Sequence, residues 1–395
     1  NSPCLYDHVV TDINSWHFYI NDYQQAREHI EKVVANTYPG STFNFVGGNV
    51  QGNQPLLNSE YGGISARMGD LDVSWCFRFL TNELRRHEKI CGYVYTELQD
   101  IEWERNGVYD YDRSPKQFGY DPALLQGEYF VGLDGPPGRT VTPGTQVEIP
   151  VFLRPSGARW ESFDLRWNLE FTDALGERAM LVRDAPLAGV EGAEAVLQVA
   201  MPDQPGLARL EVLLYDGSRR VQAMNFCYLE SVGEMERALR SERRVLLRAD
   251  LAAACLDFAD EPERGEVDGC VELLSGMGTG HIELQFPVPE DIAPEQVRTA
   301  RLRAELSSRR PGAPQTGVDQ WPSAVTVSVG DLECAGLWLP DQPADSRGAL
   351  SHMHGFQGRY GRLVDVDLPV EALQRCWAEG GIQVRLSCTA PAARG

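Results

Sequence analysis

Apolar and polar positions in the first hundred residues switch between two periods. The stretch from Val10 to Ile20 is rich in apolar and aromatic residues and reads as a strand ending near Trp16 to Tyr19. Asp22 can then cap a helix whose Tyr23, Ala26, Ile30, Val33 and Val34 share one face until Pro39-Gly40 stops it. Pro55 to Glu60 is the next strand. Asp72 can cap a second helix with the stripe Val73, Cys76, Phe77, Leu80 and Leu84, and Arg85, Arg86, His87 and Lys89 near its C-terminal end suit the helix dipole. Ile90 to Leu98 supplies a third strand. Strand, helix, strand, helix, strand is the order of a parallel sheet with right-handed crossovers.

After about Asp121 the period becomes two. Phe163, Leu165, Trp167, Leu169 and Phe171 alternate with Asp164, Arg166, Asn168 and Glu170, the pattern of an antiparallel strand with one wet face. Val147 to Leu153 and Leu210 to Leu214 repeat it, between turn signals at Gly138, Pro143-Gly144, Gly176 and Asp216-Gly217. This piece reads as an immunoglobulin-like sandwich. Glu234 to Arg248 mixes arginines with acids and reads as a solvated helical linker. Beyond it, strands around Ile282 to Phe286, Val325 to Val329 and Ile382 to Leu386 are spaced for a jelly-roll sandwich.

Composition limits the function classes. The 395 residues are 43% hydrophobic and 24% charged, which suits two or three domains with cores of their own. A formal charge of -21, from 36 Lys+Arg and 57 Asp+Glu, argues against a nucleic-acid partner, because phosphate binding needs clustered cations. No apolar run is long enough to span a membrane, so no membrane partner is expected. Nine cysteines without CxxC spacing point to reduced thiols rather than a zinc site or a disulfide framework. His352 and His354 stand two apart with no nearby acid pattern and read as a solvated loop, so neither metal nor cofactor is expected.

The sharpest local feature is Asn58-Ser59-Glu60-Tyr61-Gly62-Gly63, an acid just past the apolar Pro55-Leu56-Leu57. Desolvating a charge costs several kcal/mol, so an acid is kept at a strand end mainly where chemistry or a partner uses it. The three parallel strands also leave two open apolar edges. We expect the chain to be the C-terminal part of a longer protein whose earlier strands precede Asn1, the alternative being a partner chain that completes the sheet. With the start open, the compartment is open too, the cytoplasm slightly favoured over a periplasmic or secreted location.

Four ordered segments resemble one family. Asp12-Ile13-Asn14-Ser15-Trp16-His17-Phe18-Tyr19, Asn58-Ser59-Glu60-Tyr61-Gly62, Gly92-Tyr93-Val94-Tyr95-Thr96-Glu97-Leu98-Gln99-Asp100 and Asp112-Arg113-Ser114-Pro115-Lys116 look like the end of a glycoside hydrolase family 2 catalytic barrel. That family includes β-galactosidases, β-glucuronidases and β-mannosidases. The resemblance covers about the first third of the chain and implies a (β/α)8 TIM barrel whose strands six to eight lie here. The organisation it implies is a barrel end at 1–124, the immunoglobulin-like sandwich at 125–230, a charged linker at 231–245 and a jelly roll at 246–395 that binds carbohydrate if Trp321, Trp338 or Trp377 offers a stacking face.

The resemblance makes Glu60 the catalytic nucleophile of a retaining β-glycosidase, most like the β-galactosidases, acting on a carbohydrate substrate. Such enzymes need a second carboxyl group about 5 to 5.5 Å away. The family takes it from an Asn-Glu pair upstream. Asn82-Glu83 falls within a helix and reads as solvated surface, so the acid/base is expected outside this chain and the chain alone is expected to be inactive. Glu97, one strand over, is a substitute or a ligand of a sugar hydroxyl. Where many members have a tyrosine bonding the nucleophile, this sequence offers Trp16 or His17, either of which can donate to a carboxylate. Asn14, Tyr61 and Trp103 complete the expected substrate contacts. The Asn and Lys pair that glucuronidases use is not visible between Asn106 and Arg113, which disfavours a glucuronide. A non-catalytic sugar-binding protein of the same descent is the rival reading, and a homo-oligomer is left open.

Overall fold

A computed structural model describes residues 5–20, 23–62, 73–101, 104, 106–116, 118–155, 163–173, 177–187, 193–231, 238–240, 243–267, 270–306, 323–339 and 362–389. The proposed caps Asp22 and Asp72, Trp103, Trp321 and the His352/His354 pair lie outside them.

The chain opens with β1 (Asn14–Tyr19), α1 (Tyr23–Asn36), β2 (Leu56–Gly62), α2 (Val73–Arg85) and β3 (Ile90–Tyr95). The strands form a parallel sheet in the order β1-β2-β3. One face is the core: Trp16 and Phe18 of β1, Leu56 and Tyr61 of β2, Ala26, Ile30 and Val33 of α1, and Phe79, Leu80 and Leu84 of α2 are all buried together. β3 ends three residues earlier than the expected run to Leu98, the chain turning into a loop at Thr96.

The (β/α)8 barrel is not there. Among the described residues four α-helices accompany twenty strands, and the sheets are small and mixed. Parallel pairing between strands is confined, among those residues, to β1-β2-β3 and one further pair, apart from isolated bridges at His8–Phe45 and Gln99–Tyr109. The physical reason lies in α2. A barrel helix turns its polar side to water, whereas twelve of the thirteen residues of α2 are buried, including Arg78, Thr81, Asn82 and Glu83. Its second face is taken by antiparallel strands instead of solvent. The fold class is therefore mostly β, and the reading of Asn82-Glu83 as solvated surface is corrected with it.

Those strands belong to a two-sheet layer that follows α3 (Ala123–Gln126). β4 (Tyr129–Leu133), β6 (Gln146–Pro155) and β9 (Glu194–Ala200) make one sheet in the order β4-β6-β9. β5 (Gly138–Val141), β7 (Asp164–Asp173), β8 (Arg178–Pro186), β10 (Gly206–Tyr215) and β11 (Val221–Ser231) make the other, in the order β5-β11-β10-β7-β8. The alternating apolar positions predicted from sequence, such as Leu165, Leu169, Phe171, Leu210 and Val212, close the core between them. The outer side of β11 meets α2, where Trp75 stacks on Tyr228 with ring centroids 5.4 Å apart.

The segment read as a helical linker is corrected too. β12 (Ala238–Arg240) and β13 (Val245–Leu247) pair as a short antiparallel ribbon. Beyond it, β14 (Cys255–Val267), β15 (Cys270–Phe286), β17 (Ser323–Val329), β18 (Leu332–Leu339) and β20 (Ile382–Thr389) form a sheet in the order β14-β15-β20-β17-β18. β16 (Ala300–Leu306) pairs with β19 (Arg362–Leu368), and α4 (Val370–Ala378) buries Trp377 in the shared core.

Candidate active site

Ligands of open parallel sheets bind at the carboxyl ends of the strands, where backbone donors and loop side chains converge. Here those ends carry His17 and Tyr19 on β1, Glu60 on β2 and the Thr96-Glu97 step after β3. The pleat decides which β1 residues reach them. Asn14, Trp16 and Phe18 point into the core, while Ser15, His17 and Tyr19 point to the opposite side, half-buried or exposed.

The pairing of β1 with β2 slips between Trp16 and His17, so that His17 lies opposite Glu60. The Trp16 carbonyl lies at this slip. Asn58 Nδ2 and the Ser59 hydroxyl both donate to it at 3.2 Å. The two residues before the acid thus hold the irregularity that aims Glu60, a physical role for the Asn-Ser-Glu order. The Tyr19 hydroxyl donates to Glu60 Oε1. The rings of His17 and Tyr19 meet edge-on with centroids 6.3 Å apart.

Tyr61, next in sequence, is placed differently. It is fully buried, its hydroxyl 2.6 Å from Thr81 Oγ1 and its ring edge-on to Tyr95 at 5.2 Å. Burial pushes its phenol pKa up. Gly62 then lets the third strand end come close, since a side chain there would start 3.0 Å from the Thr96 carbonyl and 3.2 Å from Asn106 Nδ2.

The loop after β3 is pinned from within. The Asp100 carboxylate accepts from the Gly107 amide at 2.9 Å and from Lys116 Nζ at 2.7 Å, the ion pair almost wholly buried. Tyr95 donates to the Asn106 carbonyl at 2.6 Å. This fixes Glu97 in a half-buried position near two other acids. Desolvation first, then the Glu104 and Asp100 charges, raise its pKa to about 7, with Lys116 opposing. Glu97 therefore keeps its proton over a range where an ordinary carboxyl has lost it, and its Oε1 is enclosed without a hydrogen-bond partner.

The expected site residues separate into three groups. His17 and Glu60 come together at one pair of strand ends, with Glu97 following the neighbouring strand. Asn14 and Trp16 lie on the other face: Asn14 is held by Gln51 Oε1 and Asn44 Nδ2, each at 2.7 Å, and Trp16 is fully buried and stacked on Phe18. Tyr61 is core. Sequence reasoning missed Tyr19, although the signal was present: His17 and Tyr19 share a parity that Trp16 does not, and only one parity of β1 faces the acid. Among the described residues, no three His, Cys, Asp or Glu side chains are grouped to hold a metal ion.

No protein-family model matches the chain, and no curated protein is significantly similar to it. Solved structures that match in part include a superoxide reductase (neelaredoxin) from Ignicoccus hospitalis, at 14% identity over 28% of this chain and 84% of that one, with a TM-score of 0.18. A secreted serine protease from Vibrio cholerae matches at 12% identity over 67% of this chain and 47% of its own, with a TM-score of 0.17. The exo-chitosanase of Amycolatopsis orientalis matches at 12% identity, with 81% of this chain on 33% of that enzyme and a TM-score of 0.24. Three such different activities at such low scores carry no argument about function. The chain spans about a third of the chitosanase.

Proposed function

We propose that the first unit contributes the nucleophile side of a retaining β-glycosidase site, with Glu60 attacking the anomeric carbon of a non-uronic sugar. The observation that supports this reading is the Tyr19 hydroxyl bonded to Glu60 Oε1 at the carboxyl ends of two parallel strands. A nucleophilic carboxylate must be held still, and a donor on one of its oxygens fixes the orientation of the group. In the first step Glu60 forms an ester with the anomeric carbon as the glycosidic bond breaks, and an acid protonates the departing oxygen. In the second, the conjugate base of that acid takes a proton from water, which attacks the same carbon as Glu60 leaves as carboxylate.

The proton donor in this proposal is supplied from outside these residues. Glu97, protonated up to about pH 7, donates to a sugar hydroxyl instead, and His17 lines the same side of the strand ends. The test uses the full-length protein and a 2-deoxy-2-fluoro-β-glycoside with a good leaving group, which traps the ester. Peptide mapping finds the adduct on Glu60, and E60Q removes both the adduct and turnover of aryl β-glycosides. An adduct on another residue, or normal turnover by E60Q, overturns the proposal.

A further inference from the structure

The sheet β14-β15-β20-β17-β18 has two unlike faces. Val327, Val384 and Leu386 turn inward to the core. The residues of opposite parity form cross-strand rows on the other side. Trp338 lies opposite Ala324 at the β18 edge, and Gly336 lies opposite Thr326, which pairs with Ser387, which pairs with His281. The next row runs Ser328, Arg385, Glu283, with Arg385 closing on Glu283 Oε2 at 2.6 Å. Trp338 is 54% exposed, and a side chain at Gly336 would meet nothing within 4 Å. The indole thus stands beside open space at Gly336 and a row of hydroxyl, imidazole and paired charged groups.

We propose that this face binds a chain of non-acidic sugars, one ring against Trp338 and the next above Gly336 toward Thr326 and Ser387. A protein partner would bury a patch of several large apolar side chains, and among the described residues the large apolar side chain that this face exposes is Trp338, beside the small Ala324. A pyranose instead has an apolar C–H face, which suits an indole, and a hydroxyl rim, which suits a row of short polar side chains. The charges choose among glycans. Glu283 and Arg385 compensate each other, while Glu333 and Asp257 on the same sheet are exposed acids and the whole chain carries -21, so uronates and sulfated glycans are repelled. The inference is independent of Glu60.

Affinity electrophoresis of the full chain in gels containing galactomannan, xyloglucan or mixed-linkage β-glucan tests it, with polygalacturonate as the acidic control. At least one neutral glycan retards the wild type and blue-shifts its tryptophan emission. W338A, whose side chain is on the surface, keeps the wild-type circular dichroism and loses the retardation at least tenfold, while W338F keeps part of it. Failure of every neutral glycan to retard the wild type, equal retardation of W338A, or stronger retardation by polygalacturonate overturns the proposal.

Discussion

At the scale of single residues, Tyr19 and Glu97 concentrate the chemistry. A hydrogen bond to a charged group contributes about 1.5 to 3 kcal/mol, so under the proposed function Y19F is expected to lower kcat about 10- to 100-fold with little change in KM, measured on an aryl β-glycoside. Glu97 makes a prediction about pH. Its carboxyl holds its proton more tightly folded, up to about 7, than at the ordinary 4.5, so stability present below 4.5 is lost as pH rises through 7. Gln has no proton to lose. The Tm of E97Q relative to wild type is therefore expected to climb between pH 4.5 and 7 and to be level on either side, measured by thermal melts in steps of half a pH unit. The place of Glu60 at a strand end was legible in the sequence from the apolar run before it; Tyr19 needed only strand parity. The slip at Trp16 and His17 was not legible, since it depends on two side chains from the neighbouring strand capping one carbonyl.

At the scale of elements, α2 shows where periodicity stops informing. Its apolar stripe was read correctly, yet the opposite face looked like a surface because its residues are polar. Pairing makes that face an interior. Asn82 bonds both the amide and the carbonyl of Leu133, at 3.0 and 2.9 Å, imitating the edge of a strand, and Asn225 Nδ2 donates to Asn82 Oδ1 at 3.0 Å. Glu83 is enclosed with Arg86 at 3.2 Å and Arg27 at 3.7 Å. N82A orphans two buried backbone groups, each worth about 1 to 3 kcal/mol, and is expected to destabilise by about 2 to 6 kcal/mol, read from the midpoint of urea unfolding. No spacing rule reports such partners, because they lie 51 and 143 residues away. The barrel that the family resemblance implied met the same limit: alternating strands and helices look alike in sequence whether the helices face water or a sandwich.

At the scale of the whole molecule, the cores divide unevenly. The cluster joining Val73, Cys76 and Phe77 of α2 to Phe130 and Phe152 ties the parallel sheet to the sandwich. The core around Val327, Val384 and Trp377 shares no residue with it. Two calorimetric transitions are expected, with N82A lowering only the one that belongs to the first two units. W377A, a Trp-to-Ala change worth about 3 to 5 kcal/mol, should lower only the other. A single transition that moves with both substitutions would contradict this division.

The enclosure of α2 bears on how such a molecule is exchanged between proteins. A chimera cut near residue 124, where the change of period invites it, would hand the sandwich to a host lacking Trp75, Arg78 and Asn82, and leave the donor helix with a bare polar flank. The inheritable module is the sandwich together with the helix that precedes it, and a graft that respects the loops but ignores that helix is expected to yield insoluble protein.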